Sequence, residues 1–122
     1  MTRSAAITRA HQQFDSGEFR ATLARRIAVP TESQNPDRAQ VLVAYLSNEM
    51  QPAFETMGFE CQILTHPRAK APFLFAQRIE DPALPTVFGY GHGDVIRGLE
   101  PEWKSGLSPW QLTELDGRWY GR

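Results

Sequence analysis

The sequence predicts an α/β layer structure, and three observations carry that reading. Apolar residues recur at helical spacing in two segments of the first half. After Gly58 the pattern changes to short alternating runs rich in β-formers. The last fifteen residues contain Asp116-Gly117 between Trp110–Leu115 and Arg118–Tyr120, a strong hairpin signal. Helices first and strands after them, with at least one strand apolar enough to be buried, suit a layered α/β arrangement.

Each element has its own local grounds. Ala5–Phe14 reads as a short polar helix of weak periodicity. Asp15, three residues before Glu18, resembles a capping box for the next helix. Gly17–Ala28 places Phe19, Leu23 and Ile27 four apart, a narrow apolar stripe flanked by arginines. That helix should end before Val29, because Pro30 disfavours the helical region for the residue preceding it. Pro30–Asn35 then reads as a polar loop. Asn35 is placed to cap the second amphipathic helix, with Pro36 at its first position and Asp37 in its first turn. Val41, Leu42, Tyr45, Leu46 and Met50 give that helix a wide apolar face. Pro52 should force a bend or restart, and Gly58 a stop.

Phe59–Leu64 and Phe73–Ile79 read as strands joined by the proline-limited, basic loop at residues 66–72. Thr86–Tyr90 reads as a third strand, entered after Pro85 and running into Gly89-Tyr90-Gly91-His92-Gly93-Asp94.

Composition narrows the functional classes. A chain of 122 residues suits one domain, with roughly two thirds of its unfolded surface buried. Thirteen basic and 14 acidic residues leave a net charge of −1, which argues against nucleic-acid and anionic-membrane partners. A single cysteine, Cys61, cannot form an internal disulfide and fits a reducing compartment. No apolar run suits a leader or a membrane span, so a cytoplasmic location is expected.

His92 and Asp94 carry the chemistry. Residues two apart in extended chain point to one side, so imidazole and carboxylate should share a site. Alternating Gly89, Gly91 and Gly93 would leave room for a close ligand. An imidazole ligand with an acid beside it is a recurrent metal-site arrangement. The competing reading is a turn in which Asp94 caps backbone amides and His92 lies at the surface. A catalytic zinc takes three protein ligands, and neither His11 nor His66 stands at ligand spacing from His92. Cys61 reads as buried and inert, the tryptophans as packing residues, and Ser33 and Ser108 have no triad partner.

The ordered set Thr86–Val95, Trp103, Ser108-Pro109-Trp110 and Asp116–Arg122, together with Ile27–Ser33, resembles the co-catalytic two-zinc metallopeptidase family. That family comprises carboxypeptidases, aminoacylases, acetylornithine deacetylases, succinyl-diaminopimelate desuccinylases and cytosolic dipeptidases. The likeness runs from about residue 17 to the last residue. It implies the N-terminal portion of a three-layer α/β/α catalytic domain, two helices followed by strands and a C-terminal hairpin, truncated at residue 122. It also implies His92 as a zinc ligand and Asp94 as the acid that orients it. Two zinc ions about 4 Å apart would serve the complete enzyme, whose substrate would be a small peptide or N-acyl amino acid. The bridging aspartate, the later acidic pair and the second histidine have no counterpart here. Ser108 and Trp110 depart from the family's usual Asp and Phe, and Ile96-Arg97-Gly98 from its more apolar continuation. The chain alone should therefore be inactive and at most a weak zinc binder. The alternative is a non-catalytic partner-binding or homodimerising module derived from the same fold.

Overall fold

The computed structural model describes residues 2–122. Helices and strands are both present, and the strands form two separate two-stranded antiparallel sheets. Backbone contacts gather the chain into two compact units. One combines the residues up to Val29 with Leu99–Arg122, and the other is Pro30–Gly98.

In the first unit, helix α1 spans Arg3–Asp15 and helix α2 spans Glu18–Ile27. The Thr2 hydroxyl accepts the Ala5 amide and caps α1. The capping box expected at Asp15 does not form. Asp15 is the last residue of α1, Gly17 in the left-handed region is the N-cap of α2, and the Ser16 hydroxyl accepts the Glu18 amide. A glycine break two residues after Asp15 leaves that side chain in the previous helix. Strands β3 (Thr113–Leu115) and β4 (Arg118–Tyr120) form the expected hairpin. Asp116 and Gly117 both have positive φ, 52° and 69°, which is the backbone that this two-residue turn demands. Trp119 stacks on Phe14 and Phe19, with ring centroids 5.7 and 6.3 Å away. The Arg20 guanidinium lies over the same indole and pairs with Glu114. Trp119 is thus a packing residue, as expected.

The second unit holds the His92 segment. Asn35 caps a short 3₁₀ turn, Pro36–Arg38, by accepting the Asp37 amide at 3.2 Å. Helix α3 (Ala39–Tyr45) follows directly. Pro52 is accommodated by a change of winding rather than a break. Residues Leu46–Met50 form a π turn, and helix α4 (Gln51–Thr56) restarts with the proline in its first turn, where a missing N–H does no harm. Gly58, at φ 81°, ends the helical run. Strands β1 (Glu60–Leu64) and β2 (Phe73–Gln77) pair in register from Glu60 opposite Gln77 to Leu64 opposite Phe73. Cys61, Ile63, Leu74 and Ala76 are half-buried on one face of the pair, which packs against α4. The other face leaves Leu64, Phe73 and Phe75 exposed. Among the described residues Leu42 and Pro109 are the apolar side chains in the buried class, Pro109 the more completely, and the Phe54 and Phe59 rings meet edge to face at 5.3 Å.

Thr86–Tyr90 is a correction. The segment has no ladder partner among the described residues, and so is not a strand. Val87, Phe88 and Tyr90 are 93, 87 and 84% exposed. The sequence supplied β-forming side chains, but a strand also needs a neighbouring backbone to bond to. No helix among the described residues is long and apolar enough to cross a membrane.

Candidate metal centre

The segment that carries His92 is fastened at its carboxyl end. Val95 makes an isolated parallel bridge with Glu32. Its N–H donates to the Thr31 carbonyl at 2.9 Å, and its own carbonyl accepts the Ser33 N–H at 2.9 Å. The Ser33 hydroxyl reinforces the second bond. Two residues on, the Arg97 guanidinium donates to the Gln34 carbonyl at 3.0 Å. Gly93 passes so close to α3 that an added Cβ would stand 3.2 Å from Tyr45 Cε1. Here the small residue is required by a neighbour. Gly89 and Gly91 have nothing within 4 Å of an added Cβ, so their role as makers of space has no counterpart within the chain itself.

Glu32 secures this junction. Its carboxylate is almost fully buried, 5% exposed, and takes three partners. The Gly98 amide donates to Oε1 at 2.8 Å, Asn35 Nδ2 donates to Oε2 at 3.3 Å, and Arg38 Nε lies 3.6 Å from Oε2. The Gly98 hydrogen bond is the largest influence on its acidity and lowers the pKa. Burial opposes that shift, while Asn35, Arg38 and Arg97 add to it, and the carboxyl stays below its usual value. Glu32 escapes a reading of the sequence because Gly98 lies 66 residues away. Its position in a polar loop gives no hint of burial.

His92 and Asp94 do converge. His92 Nε2 lies 3.3 Å from Asp94 Oδ1, which matches the same-side geometry expected of residues two apart. The carboxylate engages one ring nitrogen and thereby orients the imidazole. Both side chains remain open to solvent, 64 and 36% exposed. A hollow of about 360 Å³ in the other unit is lined by Trp103, Lys104, Leu107 and Tyr120, among others, and contains neither residue.

The pair offers one imidazole and one carboxylate to a cation. No group of three or more His, Cys, Asp or Glu side chains among the described residues could hold a metal ion. The pair therefore fits part of a zinc coordination sphere, one ligand and its orienting acid, and falls short of the three ligands of a catalytic site. His11 is exposed on α1. His66 is exposed and occupied locally, its Nδ1 accepting the Arg68 amide at 3.1 Å. Cys61 is half-buried, with Sγ 3.9 Å from the Gln51 carbonyl, and burial followed by the charge of Glu55 pushes its thiol pKa up. A raised pKa makes a poor nucleophile.

No protein-family model, no curated protein and no solved structure matches the chain.

Proposed function

We propose that the chain carries the first metal-binding motif of a zinc-dependent hydrolase that cleaves amide or peptide bonds of small substrates. His92 would be a ligand to the metal and Asp94 the carboxylate that orients it. The observation that carries this reading is their 3.3 Å approach at the end of a glycine-spaced segment fixed at Val95. On this reading the helices and strands are the opening elements of a three-layer α/β/α domain of the two-zinc metallopeptidase type.

A bound zinc would supply a water acidic enough to attack at neutral pH and a Lewis acid for the carbonyl oxygen. The chain's own residues bind and orient. His92 offers a ring nitrogen, and Asp94 holds that ring through the other nitrogen. Neither is placed to take a proton from water and pass it to a leaving amine, so a general base must come from elsewhere. A small peptide or N-acyl amino acid is the substrate class that the family resemblance supplies.

The test is a zinc titration of the 122-residue chain followed by NMR of the histidine rings. The His92 signals should move with zinc at millimolar to high micromolar affinity, and His92→Ala should abolish binding. The chain alone should not hydrolyse N-acyl amino acids. Unchanged His92 signals at saturating zinc would remove the metal reading.

The exposed row Leu84, Val87, Phe88 and Tyr90 favours a second reading, a non-catalytic dimerising module. A stable dimer at micromolar concentration, with no zinc response at His92, would select it over the hydrolase.

A further inference from the structure

Glu32 takes no part in the chemistry proposed for His92 and Asp94, yet it is the described carboxylate with the most partners at that junction. We propose that Glu32 is the positioning residue of the His92–Asp94 motif, clasping the Gly98 amide so that residues 95–98 are locked against the turn at residues 31–35. The proposal deepens the metal-site reading and, for its functional consequence, rests on it.

Geometry carries the argument. The segment at residues 84–94 has no ladder partner, so the direction in which Asp94 and His92 point is set by what grips the next residue. Val95 is gripped by two backbone bonds to Thr31 and Ser33, on either side of Glu32. Apart from the Ser33 hydroxyl and the Arg97–Gln34 bond, these two bonds leave a hinge at Val95. The Glu32 side chain converts the hinge into a closed loop by reaching past Val95 to the Gly98 amide. Arg38 and Asn35 hold the second carboxylate oxygen, so the carboxylate cannot swing away without breaking three contacts. A buried carboxylate is an expensive way to fill space, and a well-packed apolar residue often stabilises as much or more. What the carboxylate adds is direction: a charge-assisted bond to one particular amide.

The experiment uses the full chain and two variants, Glu32→Ala and Glu32→Gln. Amide hydrogen exchange is read at Ser33, Val95 and Gly98, with Phe75 and Ala76 in β2 as internal controls. The ¹⁵N signature of the His92 ring reports which nitrogen carries the proton. Glu32→Ala should lose at least tenfold protection at Val95 and Gly98 while β2 is unchanged. In the same variant the His92 ring should move towards the tautomer mixture of a free imidazole. Glu32→Gln keeps an oxygen acceptor for Gly98 and should restore most of both signals. The proposal is overturned if Glu32→Ala leaves the His92 signature unmoved. It is overturned equally if protection falls alike in β2, since that marks general loosening. Zinc separates this proposal from the functional one. If the wild-type chain binds zinc at His92, Glu32→Ala should weaken it about tenfold. If the wild-type chain binds none, the metal reading fails while the exchange and ring signals still decide the clasp.

Discussion

Residues 31–38 with 95–98 adjoin residues 84–94 in the same unit, and the two regions are held by opposite means. The first is short of apolar side chains but saturated with bonds: a buried carboxylate, a guanidinium, an amide side chain and two backbone pairs. The second is rich in apolar side chains and nearly without partners. Phe88 and Tyr90 extend into solvent although a buried ring would contribute several kcal/mol. Order near the candidate metal centre therefore comes from polar bonds at one end of the segment and not from a hydrophobic core beneath it. His92 sits three residues from that anchor and Asp94 one, and the carboxylate is the less exposed of the two.

Substitutions can sharpen or break this contrast. The largest effect should fall on Leu42, a buried apolar side chain of helix α3. Leu42→Ala should cost about 2–4 kcal/mol in urea unfolding, whereas Phe88→Ala should stay within about 0.5 kcal/mol. A large loss at Phe88 would mean that the bare segment is covered in solution. Next comes Gly93, where a methyl group would press on the Tyr45 ring. Gly93→Ala should cost about 1 kcal/mol, while Gly91→Ala, in open space and with no positive φ, should be neutral or stabilise by up to about 1 kcal/mol.

A pH effect of local extent follows from Glu32. Its folded-state pKa is depressed, so its contribution is present in full above the ordinary carboxylate value of 4.5 and is lost as pH falls through the lower folded value. The groups facing it are the Gly98 amide, Asn35, Arg38 and Arg97. Exchange protection at Gly98 should fall below pH 4.5 in the wild-type chain and be pH-independent there in Glu32→Gln. Replacing Arg38 by Met should move the loss to higher pH. The smallest effect should be at Cys61: its raised pKa predicts slower reaction with a disulfide reagent at pH 8 than an unfolded control shows.

Most local signals were legible, though the capping box read at Asp15 was displaced by the break at Gly17. Asn35-Pro36-Asp37 announces a helix start, Gly58 a stop and Asp116-Gly117 a hairpin, and each needs only its neighbours. The convergence of His92 and Asp94 was legible for the same reason, since the two stand only two residues apart. Pro52 marked a disturbance without specifying its form, because a π turn and a kink both relieve the missing donor. Two features were hidden by distance along the chain. Val87 and Phe88 resemble β1 and β2 in composition, but pairing depends on a second backbone that composition does not encode. Glu32 looked like any loop acid until Gly98, far along the sequence, turned its amide towards it.

The stretch Thr86-Val87-Phe88-Gly89-Tyr90 also governs how the chain behaves in a crowded tube. It is uncharged, rich in β-formers and without a ladder partner among the described residues, which suits it to pair with an identical stretch from another molecule. Pro85 at its entry and Asp94 beyond its exit are the guards against such stacking, one lacking a donor and the other bringing charge. Replacing either guard should raise the chain's tendency to aggregate, which a thioflavin time course at fixed concentration would read.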